Sequence, residues 1–339
     1  MPTTDQARND GSYQGRTVVV TGAGGFIGSH LVERLVREGA HVRAFLRYNS
    51  RGDPGHLKEL SPDVRAAVEI VAGDLRDARR VAETVRGADY VFHLAALIGI
   101  PYSYVTPDDV VATNILGTLN ALNAARDAGV QRMVHTSSSE VYGTARYAPI
   151  DEAHPLQGQS PYSATKIGAD KLVESFHLSF GLPVTTVRPF NCYGPRQSAR
   201  AVIPATIVQA LTGDVIRLGS LEPKRDFTFV RDTVDGFVRC ALAPRCLGEV
   251  VNIGSGVEVS VGDIVQQIRS IVGRNLPVET DEARVRPPHS EVLRLLCSRR
   301  KAAELAGWEP RVPMAQGLRE TVEWIADHIE DYPVRAYAI

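Results

Sequence analysis

The chain has 339 residues, of which 44% are hydrophobic, and its formal net charge is −1. A chain of this length indicates two subdomains, because a single hydrophobic core stops growing near this size. The charge excludes a strongly basic nucleic-acid-binding protein, and no apolar stretch reaches the roughly 18 residues of a membrane span. The four cysteines lack metal-site spacing, so we predict reduced thiols and no metal centre. The first 15 residues are polar, without the apolar segment of a secretory signal, which predicts a cytoplasmic protein.

Apolar, β-branched runs alternate with helical stretches in the first part of the chain. The runs are 17–21, 41–46, 68–72, 90–94, 132–136 and 183–188. This alternation is typical of an α/β protein with a Rossmann-like, doubly wound parallel sheet. We predict a polar tail over 1–15 and a dinucleotide-binding domain over 16–189, to whose sheet about 232–254 returns. A smaller C-terminal α/β lobe, which binds the substrate, is predicted over 190–231 and 255–339.

A glycine-rich turn follows the first predicted strand, in the sequence TGAGGFIGS at 21–29. Gly22, Gly25 and Gly28 permit a tight turn, close approach of the backbone to a pyrophosphate, and close packing of helix on strand. The N-terminus of the following helix offers N–H donors to phosphate oxygens. The turn therefore predicts a dinucleotide site, and a plain glycine-rich loop is the alternative.

The end of the second predicted strand lacks the acidic residue that usually binds the adenosine ribose. The chain reads Leu46-Arg47-Tyr48-Asn49 at this point. A guanidinium pairs well with a phosphate, so Arg47 keeps NADP open beside NAD. The alternative is that Arg47 stacks near the adenine or lies in solvent.

A hydroxyl-rich loop follows the strand predicted at 132–136 and ends at Gly143. It places Ser138, Ser139 and Glu140 together. A carboxylate beside several hydroxyls is a candidate general base. Taken alone, the segment is equally a serine-rich turn that caps itself and leaves Glu140 exposed.

Tyr162 and Lys166 lie four residues apart in PYSATK at 161–166, and so share one face of a helix. A nearby ammonium lowers the pKa of a phenol from its ordinary value of about 10. Tyr162, as a tyrosinate, is then a base that deprotonates a sugar hydroxyl. The alternative is an amphipathic helix whose lysine extends to solvent.

With these three segments, the chain resembles the extended short-chain dehydrogenase/reductases, in the NAD-dependent epimerase/dehydratase family, over about 16–327. Further matching segments are 73–77, 93–96, 114–118, 188–196, 225–227 and 252–256. The stretches 100–104, 155–163 and 197–204 are most similar to nucleotide-sugar 4,6-dehydratases of the legionaminic-acid pathway type. Those enzymes act on nucleotide-linked N-acetylglucosamine.

The resemblance implies a tightly bound NAD that is recycled within each turnover. It places the cofactor against Gly22, Gly25, Phe26, Ile27, Gly28, Arg47, Asn49, Asp74, Leu75, Leu94, Ala95, Ala96, Tyr162 and Lys166. In this family the carboxylate at Asp74 accepts a hydrogen bond from the adenine amine.

The resemblance also implies catalytic roles. Tyr162 takes the proton of the 4-hydroxyl, Lys166 holds the phenolate and the nicotinamide ribose, and Ser138 bonds the same oxygen. Glu140 matches the glutamate that removes the C5 proton before water leaves from C6. Ser139 stands where the glucose dehydratases carry an aspartic acid. The proton donor therefore stays open between Glu140 itself and a relay through Ser139.

On the substrate side, the resemblance places diphosphate or base contacts at Asn191, Arg225 and Arg286. Arg200 is a further substrate candidate, and Ser103 is predicted to reach the sugar. Surface ion pairing is the alternative for the arginines. Two strand histidines, His93 and His135, are predicted to be packed or capping residues, and not catalytic.

The predicted function is a 4,6-dehydratase for UDP- or GDP-N-acetylglucosamine. Relatives that decarboxylate UDP-glucuronate share the Ser-Glu-Val-Tyr-Gly loop, and nucleotide-sugar 4-epimerases share the Tyr/Lys pair, so both reactions are alternatives. A non-enzymatic dinucleotide sensor is the alternative from another class.

A homodimer is expected by resemblance, through an intersubunit four-helix bundle. It would use the helix that carries Tyr162 and the preceding helix near 108–128. Leu172, Val173 and Phe176 give the first helix an apolar surface, which equally suits the protomer's own sheet.

Overall fold

A computed structural model describes residues 12–282 and 292–332. The strands are β1 (Thr17–Thr21), β2 (His41–Arg47), β3 (Val68–Gly73), β4 (Tyr90–His93), β5 (Arg132–Thr136), β6 (Val184–Pro189), β7 (Asn191–Tyr193), β8 (Ile216–Leu218), β9 (Lys224–Phe229), β10 (Val250–Ile253), β11 (Glu258–Ser260) and β12 (Val278–Thr280). The helices are α1 (Phe26–Arg37), α2 (Pro62–Ala66), α3 (Ala78–Val85), α4 (Ile100–Val105), α5 (Pro107–Val111), α6 (Gly117–Ala128), α7 (Pro161–Phe180), α8 (Val202–Thr212), α9 (Val230–Leu242), α10 (Val261–Val272), α11 (Arg300–Ala306) and α12 (Met314–Asp327). A π-helical turn, Ala112–Leu116, joins α5 to α6, and short 3₁₀ turns cover Gly55–Glu59, Ser139–Tyr142, Pro244–Cys246 and Ile329–Asp331.

The central sheet has seven parallel strands in the order β10-β6-β5-β4-β1-β2-β3. β1 pairs with β4, with Val18 opposite Tyr90 and Thr21 opposite His93. From β1 the chain continues outward to β2 and β3, and from β4 it continues in the other direction to β5 and β6. This reversal leaves a crevice at the carboxyl ends of β1 and β4, where doubly wound folds bind ligands. The predicted fold class is confirmed.

Hydrophobic residues pack on both faces of this sheet, because successive strand residues point to opposite sides. Val18 and Val20 of β1 belong to one core, together with Leu31 of α1. Val19 belongs to a second core, together with Leu122 of α6. The two cores hold the strands rigidly, and so fix the positions of the residues that follow their carboxyl ends.

The predicted strands match the observed sheet closely. β1 and β5 have the predicted bounds, and β2, β3, β4 and β6 differ by one residue at one or both ends. β10 pairs with β6, with Val250 opposite Thr186, so the chain after α9 returns to the sheet. The division of the chain into domains stays a prediction.

Smaller sheets follow Pro189. β7 and β11 pair with β9, and β12 pairs with β8. Trp308 is fully buried and its Nε1 donates to the carbonyl of Asp232 at 3.0 Å, which ties the C-terminal helices to α9. None of the helices in the described ranges has the length and apolar content that a bilayer crossing requires.

Candidate active site

A cavity of about 790 Å³ opens at the carboxyl ends of the central strands. It brings together most of the predicted site residues. These are Gly22, Gly25, Phe26, Ile27, Gly28, Arg47, Leu94, Ala95, Ala96, Ser138, Ser139, Glu140, Tyr162, Lys166, Asn191, Arg200 and Arg225. The fold thus collects residues from distant parts of the chain around one crevice, which is the candidate active site.

The glycine turn forms the wall beside β1. Gly25 precedes α1 and makes no side-chain capping bond, so the first-turn N–H groups of α1 are not occupied by a cap. A Cβ on Gly28 would overlap the carbonyl oxygen of Gly22, and a Cβ on Gly22 would lie 2.8 Å from the amide nitrogen of Ala95. Glycine is therefore required at both places. The bare backbone and the helix N-terminus fit the pyrophosphate of a dinucleotide.

The loop after β2 shapes the next part of this wall. Asn49 is not among the residues that line the cavity, because its Oδ1 accepts from the N–H groups of Arg51 (3.2 Å) and Asp53 (2.9 Å). This turn brings residues 53–55 to the cavity beside Arg47. Sequence analysis missed them. The Gly-Asp-Pro-Gly sequence at 52–55 indicates a turn, but not which surface it reaches.

Asp74 and Leu75 follow β3 and are not among the lining residues. Asp74 accepts from Arg76 Nη2 at 2.6 Å and from Arg76 Nε at 2.9 Å. These hydrogen bonds lower the pKa of Asp74 to about 2. Leu75 is buried against Gly117. A contact from Asp74 to adenine stays a prediction.

Tyr162 and Lys166 are positioned by the first turn of α7. Ser160 caps this helix: its Oγ accepts from the N–H of Ser163 at 3.1 Å, and the Ser163 hydroxyl accepts from the N–H of Ser160 at 3.0 Å. Tyr162 and Lys166 are only 6% and 4% exposed. Lys166 Nζ donates to the carbonyl of Thr136, at the end of β5, at 2.7 Å.

The protein groups around Tyr162 act against the predicted lowering of its pKa, which stays a prediction for the enzyme with bound NAD. Burial raises the pKa of the phenol, the negative charge of Glu140 raises it further, and a hydrogen bond with Ser138 opposes the rise. The Lys166 ammonium donates to the Thr136 carbonyl and is not among the groups that lower the Tyr162 pKa. Burial also lowers the pKa of Lys166, to about 8, so the ammonium form still predominates at pH 7.

The loop after β5 forms the short 3₁₀ turn Ser139–Tyr142. Ser138 caps it by accepting from the N–H of Glu140 at 3.2 Å. Ser138 and Glu140 are partly exposed and Ser139 is buried, yet all three line the cavity. The turn therefore caps itself and also places a carboxylate near the Tyr162 phenol.

The opposite wall carries the predicted substrate residues. Asn191 lies on β7, Arg225 is a buried residue of β9, and Arg200 is exposed at the rim before α8. Arg286 lies outside the described residues. The structure does not place Ser103 at the sugar site that the sequence predicts for it. Ser103 is fully buried in α4, its hydroxyl donates to the Ile100 carbonyl at 2.6 Å, and it is not among the lining residues.

The strand histidines are packed, as predicted. His93 Nδ1 lies 2.9 Å from Thr21 Oγ1, and His93 Nε2 lies 3.1 Å from Thr118 Oγ1. His135 is fully buried and stacks on His93 with ring centres 5.8 Å apart. Burial lowers the pKa of both imidazoles.

Asn114 is a positioning residue to which sequence analysis gave no role. It lies in the π-helical turn, a geometry that re-aims a side chain within a helix. Its Oδ1 accepts from the N–H of Leu97 at 2.8 Å, and its Nδ2 donates to the Leu97 carbonyl and to Thr165 Oγ1, each at 3.0 Å. Asn114 thus fixes the cavity-lining loop after β4 to the helix that carries Tyr162.

A family model described as GDP-mannose 4,6 dehydratase matches residues 19–321. The chain belongs to the NAD-dependent epimerase/dehydratase family. A dTDP-glucose 4,6-dehydratase of Streptomyces antibioticus is 36% identical and covers 92% of each chain. A UDP-glucose 4-epimerase of Mycolicibacterium smegmatis is 35% identical and covers 90% of this chain and 97% of its own. The solved structure of DesIV, a dTDP-glucose 4,6-dehydratase of Streptomyces venezuelae with NAD and TYD bound, gives a TM-score of 0.85 at 30% identity over 94% of this chain and 100% of that chain.

This epimerase/dehydratase has relatives with different reactions. Besides dehydratases and epimerases, a UDP-N-acetyl-alpha-D-glucosaminuronate decarboxylase of Bacillus cytotoxicus is 32% identical. The chain is therefore an enzyme of the nucleotide-sugar epimerase, dehydratase and decarboxylase family. The glycine turn and the helix N-terminus fit the NAD on which the family depends. The particular reaction has to be argued from the side chains of the cavity.

Proposed function

We propose that this enzyme is an NAD-dependent nucleotide-sugar 4,6-dehydratase that acts on UDP- or GDP-N-acetylglucosamine. One observation carries the proposal. Glu140 lines the cavity next to Ser138, and its charge acts on the Tyr162 phenol. A 4-epimerase needs only one acid–base group at the C4 oxygen, whereas a dehydratase needs a second base for the C5 proton. Glu140 meets that need and so favours a dehydratase over an epimerase. The decarboxylases share its loop, and the substrate experiment below distinguishes them.

The chain's residues divide the chemistry between them. Bound NAD supplies the acceptor for the C4 hydride and its positive ring favours the ionised form of Tyr162. Tyr162 takes the proton from the 4-hydroxyl, while Ser138 bonds the same oxygen. Lys166, held by the Thr136 carbonyl, supplies positive charge one helical turn along α7. The buried position of Tyr162 excludes water from this proton transfer.

Glu140 carries the elimination step. With a ketone at C4, the C5 proton is acidic, and the Glu140 carboxylate removes it as water leaves from C6. Ser139 lines the cavity beside it but, as a hydroxyl with a high pKa, is a poor acid. We propose that Glu140 returns its proton to the leaving hydroxyl, with Ser139 as a hydrogen-bonding neighbour. Return of the hydride to C6, with uptake of a solvent proton at C5, then gives the 4-keto-6-deoxy sugar and restores the oxidised cofactor.

The first experiment incubates the purified enzyme with UDP-N-acetylglucosamine, GDP-N-acetylglucosamine and UDP-glucuronate, and follows the mass of each sugar nucleotide. Loss of one water with formation of a ketone is the expected result. Loss of carbon dioxide from UDP-glucuronate would make the enzyme a decarboxylase. An unchanged mass with inversion at C4 would make it an epimerase.

The role of Glu140 is tested by Glu140→Gln. The amide keeps the shape but cannot take the C5 proton, so we expect net dehydration to fall about 10²- to 10⁴-fold. Oxidation at C4 should persist, visible as reduced nicotinamide in a single turnover. Ser139→Ala is the matched control and should retain most of the dehydration rate. A Glu140→Gln enzyme that dehydrates at the wild-type rate contradicts the assignment.

We further propose a homodimer in which α6 and α7 pack against the same helices of a second protomer. Val173 and Phe176 belong to the protomer's own core, so they are not available for this contact. Leu178 on α7 and Leu116, in the π-helical turn just before α6, are 76% and 51% exposed and offer apolar surface for this contact. Light scattering that gives a monomer at micromolar concentration would contradict the dimer.

A further inference from the structure

A buried ion pair lies behind the loop that carries residues 138–140. Asp170 on α7 and Arg188 on β6 are 5% and 4% exposed. Asp170 Oδ2 accepts from Arg188 Nη2 at 2.8 Å and from Arg188 Nε at 3.1 Å. Neither residue lines the large cavity. The pair therefore lies outside the cavity, but both of its residues bond to the loop that carries Ser138 and Glu140.

This ion pair holds both ends of the loop. At the start, the Ser137 hydroxyl donates to Asp170 Oδ2 at 2.9 Å. At the end, Arg188 Nη1 donates to the Tyr142 hydroxyl at 2.9 Å, and that hydroxyl donates to Asn252 Oδ1 at 2.7 Å. The position of the 137–142 loop against the cavity thus depends on contacts that converge on one carboxylate.

The same carboxylate acts on Lys166. Asp170 follows Lys166 by four residues on α7, so the two side chains share one helix face. Burial lowers the pKa of Lys166 to about 8, and the negative charge of Asp170 opposes this lowering. Without that charge, burial would act alone on the ammonium.

We propose that Asp170, together with Arg188, is a positioning residue for the reaction: it fixes the 137–142 loop at both ends and places a negative charge one helical turn from the Lys166 ammonium. The inference rests on the roles proposed above for Lys166 and Glu140. Asp170 and Arg188 act through Ser137, Tyr142 and Lys166, and do not touch the reacting atoms.

Other titratable groups face the pair. His135 Nε2 on β5 lies 3.3 Å from Asp170 Oδ1, and burial lowers the His135 pKa, so the imidazole is neutral at pH 7. On the outer side, a cavity of about 250 Å³ adjoins the pair, and its other titratable side chains are Glu152, Lys171, Glu174, His177 and Glu249. Tyr162 and Glu140 face Lys166 from the active-site side. Substitutions of Asp170 or Arg188 leave all these groups in place.

The test compares Asp170→Asn with Arg188→Gln in the full-length, NAD-loaded enzyme. Activity needs the Lys166 ammonium, so it is lost as the pH rises through the Lys166 pKa. Because Asp170→Asn lowers that pKa, we expect the alkaline limb of the pH profile of kcat to move about one pH unit lower. We also expect kcat at the optimum to fall at least about tenfold, with KM changed less than about threefold.

Arg188→Gln is the matched control. It releases Tyr142 but keeps the Asp170 carboxylate, so kcat should fall without a downward shift of the alkaline limb. Asp170→Glu retains the charge and should return the limb to its wild-type position. An unmoved limb in folded Asp170→Asn, or an equal downward shift in Arg188→Gln, would overturn the proposal.

Loss of a buried partner can prevent folding, so two milder variants are included. Ser137→Ala and Tyr142→Phe each break one end of the loop attachment and leave the ion pair intact. Each should lower kcat several-fold with unchanged NAD content. A wild-type kcat in both Ser137→Ala and Tyr142→Phe would contradict the proposed positioning role of the ion pair.

A measurement without turnover separates this inference from the proposed function. The chain has five lysines, so the Cε resonance of Lys166 in ¹³C-lysine-labelled protein is assignable with a Lys166→Arg variant. A lower Lys166 pKa in Asp170→Asn supports the electrostatic role even if no sugar nucleotide is converted. An unchanged Lys166 pKa contradicts it, whatever the substrate proves to be.

Discussion

The two walls of the active-site cavity are built in different ways. The cofactor wall, residues 22, 24–28 and 94–96, lies at the ends of β1 and β4 and includes four glycines whose backbone is bare. The substrate wall, Asn191, Arg200 and Arg225, presents side chains from short strands and a connection. The cofactor wall depends on the missing Cβ atoms of Gly22 and Gly28, whereas the substrate wall can be changed one side chain at a time. The first should therefore resist substitution, and the second should change specificity without loss of the fold.

The largest effect is expected for Gly28→Ala in the cofactor wall. The new Cβ would overlap the Gly22 carbonyl oxygen, a backbone atom that cannot move aside. We expect the free energy of unfolding to fall by about 1–3 kcal/mol, with loss of bound NAD. Gly25→Ala is the control, since its Cβ would meet only Gly22 oxygen, at 3.2 Å. It should weaken NAD binding with a smaller loss of stability. Denaturant unfolding and NAD content measure both, and a fully stable Gly28→Ala would remove the contrast between the walls.

A smaller effect, confined to substrate, is expected for Arg225→Ala in the substrate wall. Arg225 is 8% exposed and lines the cavity, and we expect its guanidinium to bind a diphosphate away from bulk water. Removing a hydrogen bond to a charged group costs about 1.5–3 kcal/mol, and KM should rise roughly 10- to 150-fold at this cost. Arg200→Ala, at the exposed rim, should raise KM less than about fivefold by the same reasoning. Steady-state kinetics and NAD content measure the outcome, and loss of NAD from Arg225→Ala would show that the walls are not independent.

The smallest effect is expected for Asp74→Asn, beyond the edge of the cofactor wall. Asp74 pairs with Arg76 in a partly exposed position, and such pairs contribute about 0–1 kcal/mol. Because Arg76 holds the pKa of Asp74 at about 2, this contribution is present above the ordinary carboxyl pKa and is lost as the pH falls toward 2. Calorimetric titration with NAD should show an affinity loss of a few-fold at most. A loss above about 100-fold would place Asp74 in the cofactor wall itself.

The features that the sequence predicts correctly are those that depend on local patterns. β1 and β5 were predicted with their observed bounds because each is a short apolar run that becomes a fully paired strand in the sheet. Gly22, Gly28, Tyr162 and Lys166 were placed in the cavity because their spacing reflects local geometry, a turn and a helix face. Local patterns of this kind are predictable because the geometry of a strand, a turn or a helix face depends on neighbouring residues in the sequence.

The remaining errors arise from tertiary packing. Ser103 was expected at the sugar, but α4 turns its hydroxyl back to the Ile100 carbonyl. The sequence predicts a lowered Tyr162 pKa, but burial raises it, and the Lys166 ammonium donates to a carbonyl at the end of β5, 30 residues away in sequence. The roles proposed for Asp170 and Arg188 depend on a contact between a helix and a strand that no spacing in the sequence reveals.

The reversal of strand order between β1 and β4 fixes the position of the crevice through chain connectivity, without reference to any side chain. Relatives that inherit this strand order keep the crevice, even when the residues around it are exchanged. That inheritance accounts for a dehydratase, an epimerase and a decarboxylase that are all 32–36% identical to one sequence. A change of reaction on this scaffold does not require a new binding crevice, because the strand order already supplies one.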